Sequence, residues 1–407
     1  MFLKCALFVI VPENIFSYLN RHRIVNDINP IQLDLIADHG TNTIFVQLLF
    51  LRETTFHQVR WRNLAFECPC IFFDLTMSCR PFAFHPSIHR TGYLRHKKAY
   101  QDPVQLAANI GIKAAGADGV SLQDKVVVVT GANSGLGKEV ATYAAAKGAK
   151  LYMLCRSEQR AQQAKDEIVK ATSNSNIHVV LADVSELSQV KSAVQQIQSA
   201  ETHVDALVCN AGVLLNDFTK TSEGREVTFV AHLLGGSYLL SQLLLPQLKA
   251  APSGRVVFVT SGGMYNYKLP PWDVVTTADE SKYNGVDAYA YAKRGQVLLA
   301  ERLAETIPEV MWVTVHPGWA DTPAVDDAFG DAKKYLKPLR DPWEGAEGVT
   351  WLLGADKDTL ENGSLYLDRK TQPKHIAGPF FSEGSFTKNT AKDVDEMMEK
   401  LKEAAGV

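Results

Sequence analysis

Tyr289 and Lys293 are the residues of this chain whose types and spacing best suit proton transfer. They lie four positions apart in a segment with a helical pattern, so both side chains share one face of the predicted helix, whereas Tyr291 points away. A phenol has a pKa near 10, and an ammonium group about 4 Å away is worth up to roughly 4 kcal/mol, or about three pKa units. The pair could therefore act as a general acid and base near neutral pH.

The Tyr-x-x-x-Lys spacing is common on solvated helices, so it indicates an active site only together with its surroundings. The predicted helix follows an apolar run, residues 255–260, that is typical of a buried strand. That strand ends in two adjacent hydroxyls, Thr260 and Ser261. Their location on the helix that follows this strand is what makes the tyrosine and lysine candidates for an active site.

A glycine-rich turn lies between another predicted strand and its helix, where residues 130–137 read TGANSGLG. Glycines reach backbone angles that are closed to other residues, and they let the helix N-terminus approach a pyrophosphate closely. A glycine trio alone is a weak signal, but its position between strand and helix predicts a dinucleotide site. The residues predicted to line it are Thr130, Gly131, Asn133, Ser134, Gly135, Leu136 and Gly137.

The end of the next predicted strand indicates which dinucleotide binds. An NAD(H) site places a carboxylate there for the ribose hydroxyl, whereas this strand ends in Cys155, Arg156 and Ser157 without an acid. The guanidinium of Arg156 can bind a 2′-phosphate bidentately. We therefore predict NADP(H) as the cofactor; the alternative is a solvated loop arginine.

Short apolar runs alternate with helical patterns from residue 125 onward. The predicted strands are 125–130, 149–155, 177–182, 204–209, 255–260 and 310–316, with 364–367 as a last edge strand. The predicted helices are 135–147, 158–170, 186–199, 223–249, 287–305 and 391–404. This alternation predicts an α/β fold, a Rossmann doubly wound parallel sheet of about seven strands with helices on both faces.

Taken together, these motifs resemble the short-chain dehydrogenase/reductase family over residues 92–400. The matching positions are the turn at 130–137, Asp183, Asn210-Ala211-Gly212, Ser261, Tyr289, Lys293 and Pro317-Gly318. The stretches 260–264 and 316–323 are similar to one branch of this family (abbreviated SDR) in particular, the dehydrogenase/reductase family member 12 type.

The resemblance implies a role for each matched position. Tyr289 would be the general acid and base, Lys293 would lower its pKa and hold the nicotinamide ribose, and Ser261 would bind the substrate carbonyl. Asp183 would face the adenine, and Thr322 would contact the nicotinamide end. The remaining cofactor contacts implied are Asn210, Ala211, Gly212, Pro317 and Gly318.

His232 departs from the family pattern. The family usually carries an asparagine on the helix after the fourth strand, and aligning Phe229 and Gly235 puts His232 at that position. Histidine can also hydrogen-bond a water, but its bulk and charge differ from those of asparagine. We hypothesise a working but slower enzyme; an impaired proton relay is the alternative.

Two segments near the predicted site carry apolar side chains. Residues 264–283 contain Tyr265, Tyr267, Leu269, Pro270, Pro271 and Trp272, and residues 323–342 contain Phe329, Tyr335 and Leu339. They could form a lid over a lipophilic carbonyl or alcohol, or they could only pack the segments onto the sheet. The sequence leaves both interpretations open.

The first ninety residues differ in composition from the rest. They hold one glycine and one lysine, but eleven of the 18 phenylalanines and four of the six cysteines. A targeting signal, a disordered segment and a gene-model artefact are all compatible with them, and residues 77–101, with five basic and no acidic residues, suit a transit peptide. Potential zinc ligands lack the paired spacings of structural sites, so no metal is predicted; they are Cys68, Cys70, Cys79, His85 and His89.

We expect four regions in the chain. Residues 1–90 are the extension, 91–124 a helical lead-in that begins at Asp102-Pro103, 125–370 the catalytic domain, and 371–407 a tail with a helix. The cytoplasm is the expected compartment, with organelle targeting through the first region as the alternative.

The composition of the chain argues against two classes of protein, those that bind nucleic acid and those that span a membrane. A net charge of −3 with 21% charged residues argues against nucleic acid, and no apolar run is long enough to span a bilayer. The expected partner is a small carbonyl or alcohol, and a homodimer or homotetramer fits the resemblance. A cofactor-binding module without turnover is the main alternative; a sugar-nucleotide epimerase or dehydratase fits less well because only about 90 residues follow His316.

Overall fold

The computed structural model describes the backbone of residues 6–12, 31–38 and 43–50, and describes residues 120–323, 325–326, 330, 333, 338–376 and 386–407. The first group forms an antiparallel sheet of order β1-β3-β2, made of β1 (Ala6–Pro12), β2 (Ile31–Asp38) and β3 (Thr43–Phe50). The sequence patterns had not predicted these strands. The potential zinc ligands and the helix expected at Asp102-Pro103 lie outside the described residues.

The second group is built on one twisted sheet in the order β11-β10-β9-β8-β7-β4-β5-β6. Its strands are β4 (Val126–Thr130), β5 (Lys150–Cys155), β6 (Ile177–Leu181), β7 (Ala206–Cys209), β8 (Arg255–Val259), β9 (Met311–Val315), β10 (Leu365–Leu367) and β11 (Lys370–Gln372). Every pairing is parallel except that of β10 with β11. The doubly wound α/β fold is confirmed, with eight strands rather than about seven.

Helices follow the strands and cover both faces of this sheet. They are α1 (Gly135–Ala146), α2 (Glu158–Thr172), α3 (Leu187–Ala200), α4 (the consecutive segments Val227–Phe229, Val230–Leu239 and Leu240–Leu243), α5 (Leu245–Ala250), α6 (Trp272–Val275), α7 (Gly285–Thr306), α8 (Pro342–Gly354) and α9 (Ala391–Ala405). Short 3₁₀ turns form at Gly262–Asn266, Glu280–Lys282 and Lys357–Thr359. None of the helices in this part of the chain is long and apolar enough to cross a bilayer.

Strand alternation explains why both faces are covered. In β4, Val127 and Val129 pack into a core cluster with α1, α2 and α8, while Val126 and Val128 pack into a cluster with α3, α4, α7 and α9. Successive side chains of a strand point to opposite faces, so a run of four valines is buried from both sides.

Helix α8 was not predicted from the sequence, although its start carries a clear capping signal. Asp341 caps the helix, Pro342 occupies its first turn, and the side chain of Glu344 closes a capping box back to the Asp341 backbone. The helix packs beside α1, behind the glycine-rich turn. The glycines at 345, 348 and 354 obscure its apolar periodicity in the sequence.

Candidate active site

The glycine-rich turn lies where the direction of strand order reverses. β4 is central, with β7 on one side and β5 on the other, and the helices that follow β4 and β7 cover opposite faces of the sheet. Open α/β sheets bind their ligands in a crevice at the carboxyl ends of the strands at such a reversal. Gly131 and Gly135 have φ of +66° and +52°, which favour glycine. A Cβ on Gly137 would lie 2.3 Å from the carbonyl oxygen of Gly131. The turn is thus a closely packed backbone cradle without room for a side chain at Gly137, which lets the helix N-terminus lie close to the strand end, as a pyrophosphate site requires.

The loop after β7 is bonded directly to the end of β4. The hydroxyl of Thr130 accepts the backbone N–H groups of Asn210 at 3.0 Å and Ala211 at 2.9 Å, and the Asn210 amide donates to the Thr130 carbonyl at 3.0 Å. Thr322 closes the other side of the cradle, because its methyl carbon lies 3.6 Å from where a Cβ on Gly135 would be. These contacts bring the predicted cofactor residues of three loops together.

Some residues of the turn do not present side chains to the crevice. The Leu136 side chain packs towards α8, where a Cβ on Gly345 would meet it at 2.7 Å, so only its backbone can face a ligand. Ser134 occupies the N-cap position of α1 and makes no capping bond with its side chain. The backbone N–H groups of Ala132 and Asn133 lie close enough to the Cys155 thiol at the end of β5 to lower its pKa.

Charged side chains cluster at the carboxyl ends of β5 and β6. Arg156 is exposed, and its Nη1 lies 3.9 Å from a carboxylate oxygen of Asp183. The other Asp183 oxygen accepts the backbone N–H and the hydroxyl of Ser185, at 2.9 and 2.7 Å. Arg160 was not among the predicted cofactor residues, although its position four residues after Arg156 was a usable signal. Its charge is close enough to interact with the Cys155 thiol. Burial raises the pKa of that thiol to about 11.

The four catalytic candidates meet at the end of β8. The Ser261 hydroxyl lies close enough to the Tyr289 phenol to lower its pKa. Lys293 Nζ lies 5.5 Å from the centroid of the Tyr289 ring and donates to the carbonyl of Val259 at 2.6 Å. Thr260 ties this strand end to α7 by donating to the Lys293 carbonyl at 2.9 Å. Tyr291 points away, as predicted, and its ring packs on that of Tyr267.

Burial dominates the protonation of this cluster. It raises the pKa of Tyr289, against the opposing effect of the Ser261 hydrogen bond. It lowers the pKa of Lys293 to about 7, against the opposing effect of the buried Cys209. The expected lowering of the tyrosine pKa by Lys293 therefore stays a prediction.

His232 is buried in the π-helical part of α4 and is neutral, because burial holds its pKa well below the usual value. Its Nε2 lies 2.7 Å from the carbonyl oxygen of Val213, and its ring meets that of Tyr289 edge to face. Its Nδ1 is buried and has no hydrogen-bond partner among the described residues. Gly212 makes room for the ring, since a Cβ there would lie 2.0 Å from Cε1.

The Pro317-Gly318 loop after β9 packs against Arg340, which forms an ion pair with Asp368. Gly318 has φ of +74°, and a Cβ on it would lie 2.3 Å from Nε of Arg340. The guanidinium of Arg340 binds Asp368 with both nitrogens, at 2.5 and 3.0 Å, and both side chains are largely buried. The loop that carries Thr322 is thereby fixed to the β10–β11 hairpin.

The aromatic residues of the first candidate lid segment pack onto the domain. Tyr265 is 2% exposed and lies in a cluster with Val297 and Leu365, and Trp272 packs edge to face on Phe229 at 5.3 Å. These contacts support the packing interpretation for this segment. Phe329 and Tyr335 of the second segment lie outside the described residues, and Leu339 is half-buried.

Comparison with known proteins finds relatives in one family of enzymes. The family model of short chain dehydrogenases matches residues 125–270. Dehydrogenase/reductase SDR family member 12 from Homo sapiens is 34% identical over 259 residues, 63% of this chain and 80% of the human protein. Retinol dehydrogenase 11 from Mus musculus is 33% identical over 259 residues, 61% of this chain and 79% of that protein. The oxidoreductase yciK from E. coli shares the fold, with a TM-score of 0.50 at 22% identity over 61% of this chain and 96% of the other.

Proposed function

Because the chain belongs to the short-chain dehydrogenase/reductase family and is an oxidoreductase of that family, we propose that it interconverts a carbonyl and an alcohol with NADP(H), and that Tyr289 is its general acid and base. The observation that carries the proposal is the meeting of Ser261, Tyr289 and Lys293 at the end of β8. The glycine cradle at Gly131 and Gly137 lies at the same edge of the sheet.

When bound, NADPH supplies the hydride that reduces the carbonyl carbon. The Ser261 hydroxyl donates to the carbonyl oxygen and keeps the substrate in register with the phenol. Tyr289 gives its proton to the oxygen as the alkoxide forms, and takes it back in the oxidation direction. Lys293, which is buried, supplies a nearby proton donor on the same helix face.

The preference for NADP(H) is supported by the charges at the end of β5. Arg156 is exposed, and the strand end carries no acid. Arg160 adds a second guanidinium on the first turn of α2, near the glycine turn. Two cations can neutralise a 2′-phosphate, which carries more charge than a ribose hydroxyl.

We further propose a lipophilic substrate. The support comes from a relative that is named a retinol dehydrogenase, since retinol is an apolar alcohol. The packed aromatics of the segment after Ser261 do not contribute to this proposal, because they face the core of the domain.

The decisive experiment compares Tyr289→Phe with Tyr291→Phe, using a panel of carbonyls followed by NADPH absorbance. Loss of a general acid should lower kcat by about 10²- to 10⁴-fold in Tyr289→Phe, with NADPH affinity retained. The matched control loses a hydroxyl of the same helix that does not face the site, so it should keep its activity. NADPH binding without turnover of any carbonyl or alcohol in the parent protein would instead establish a binding module.

A further inference from the structure

Arg294 is a fully buried arginine that the proposed chemistry does not use. It follows Lys293 on α7, has no exposed surface, and projects to another side of the helix. Burial lowers its pKa to about 10, partly offset by Tyr265 and Glu301. Its described hydrogen-bond partners include no carboxylate, so the charge is compensated mainly by backbone carbonyls. Such a group is costly to bury compared with an apolar side chain of similar size.

The guanidinium joins two segments that are far apart in sequence. Its Nε donates to the carbonyls of Met264 at 3.0 Å and Tyr267 at 3.1 Å. Both residues lie in the segment directly after Ser261, residues 262–267, which is called the Ser261 turn below. Its Nη1 donates to the carbonyl of Lys374 at 2.7 Å, just beyond β11. One side chain of the catalytic helix thus holds both the Ser261 turn and the segment that leaves the β10–β11 hairpin.

Neighbouring side chains repeat the same connection. The Tyr265 hydroxyl donates to the carbonyl of Pro373 at 2.5 Å, and Glu301, two turns after Arg294 on α7, forms ion pairs with Lys374 and His375. Met264 is fully buried beneath this connection. The three elements can therefore move little against one another while Arg294 is in place.

The consequence for the site passes through Ser261. Its hydroxyl lies close to the Tyr289 phenol and accepts the backbone N–H of Gly263 at 3.3 Å, so its position depends on the turn that follows it. Arg294 holds the far side of that turn, whereas it bonds neither Lys293 nor the glycine cradle. A displacement of this turn would shift the serine relative to the phenol and leave the cofactor site unchanged.

We propose that Arg294 is a positioning residue that locks the Ser261 turn to the catalytic helix and to the segment after β11, and so sets the serine against Tyr289. The effect of Arg294 on turnover rests on the proposed function. The set of bonds from Arg294 to Met264, Tyr267 and Lys374, here called the clamp, is a property of the fold and does not. Arginine suits it because one planar fork can bond carbonyls of two segments in fixed directions.

The test uses Arg294→Met, Arg294→Lys and the matched control Arg302→Met in the full chain, with all-trans-retinal and NADPH as probes. Arg302 lies on the same helix but pairs with Glu305 and Asp395 instead. A displacement of about an ångström should lower kcat by roughly 10- to 100-fold in Arg294→Met, with the NADPH dissociation constant within about twofold of the parent value. Arg294→Lys should recover part of the loss, because an ammonium group can still donate to one segment.

Hydrogen exchange on the same proteins separates the clamp from the chemistry. Arg294→Met should exchange faster than Arg302→Met in residues 262–267 and 370–376 together. Unchanged exchange in those segments overturns the proposal even if the parent protein does not turn over retinal. Unchanged kcat, or NADPH affinity lost in parallel with kcat, also overturns it. Should Arg294→Met not fold, Arg294→Lys and Tyr265→Phe must show the same two segments loosening, or the clamp is rejected.

Discussion

The ring of His232 stands edge-on to the ring of Tyr289, with their centroids 5.1 Å apart and their planes at 90°. The histidine is neutral and its Nε2 is close to the backbone carbonyl of Val213. It therefore acts on the Tyr289 phenol through its shape and its dipole and carries no charge. By the alignment expected from Phe229 and Gly235, it takes the place of the asparagine that is usual in the family. The phenol therefore packs against an imidazole edge, a contact that an asparagine side chain cannot make.

The first prediction concerns this histidine. We expect His232→Asn to keep or raise kcat, because an amide can still bond the Val213 backbone and matches the usual residue of the family. His232→Leu, which fills similar space without polar atoms, should lower it. Steady-state kinetics with the best carbonyl of the panel measures both. A complete loss of activity in His232→Asn would show that this chain depends on the imidazole itself.

The second prediction concerns the cofactor. Removing a charge-assisted hydrogen bond costs about 1.5–3 kcal/mol, so Arg156→Ala should weaken NADPH binding by about 10- to 100-fold. NADH lacks the 2′-phosphate and is the internal control, with a dissociation constant that should change little. Arg160→Ala should act in the same direction. Fluorescence titration of both cofactors gives the ratio; an unchanged NADPH/NADH preference in Arg156→Ala contradicts the assignment.

The third prediction contrasts two glycines in helices. In Gly137→Ala the new Cβ would lie 2.3 Å from the Gly131 carbonyl and 2.4 Å from the Asn210 amide, so overpacking should cost about 1–3 kcal/mol of unfolding free energy. In Gly348→Ala the nearest atom beyond the neighbouring backbone is 3.6 Å away, so the helix should gain about 0.5–1 kcal/mol. Urea denaturation should show opposite signs. Equal effects would mean that the glycine turn is not tightly packed.

The fourth prediction is a dependence of stability on pH. Lys293 has a pKa of about 7 in the folded protein and near 10.5 when unfolded, so its burial costs stability fully below pH 7. The cost is relieved as the pH rises from 7 to 10.5, because only the unfolded chain then keeps the proton. Lys293→Met should therefore stabilise the protein at pH 6 by up to about 5 kcal/mol, and by less at pH 9.

Urea denaturation at pH 6, 7.5 and 9 measures this effect. The exposed Lys170 in the last turn of α2 is the control for the substitution itself, compared as Lys170→Met at each pH. A stability difference between Lys293→Met and the parent that stays constant over this range would show that the ammonium is not desolvated by the fold.

Local patterns were sufficient to predict most of the α/β scaffold. The valine run of β4 and the glycines at 131, 135 and 137 encode a buried strand and a tight glycine turn in neighbouring residues, because strand burial and backbone freedom depend mainly on residue type. Helix α8 and strand β11 were missed. The first is broken by glycines, and the second is a three-residue edge strand with no apolar alternation.

The sequence by itself determined the strands of the sheet, the glycine turn and the spacing of Tyr289 and Lys293, because each of these depends only on residues that are close together in the chain. Only the tertiary structure decided that Lys293 is desolvated, that His232 packs on the phenol and that Arg294 joins the Ser261 turn to the segment after β11. These properties depend on residues that are up to about a hundred positions apart. Burial and long-range contacts arise only when the chain has closed around them, so no local pattern could contain them.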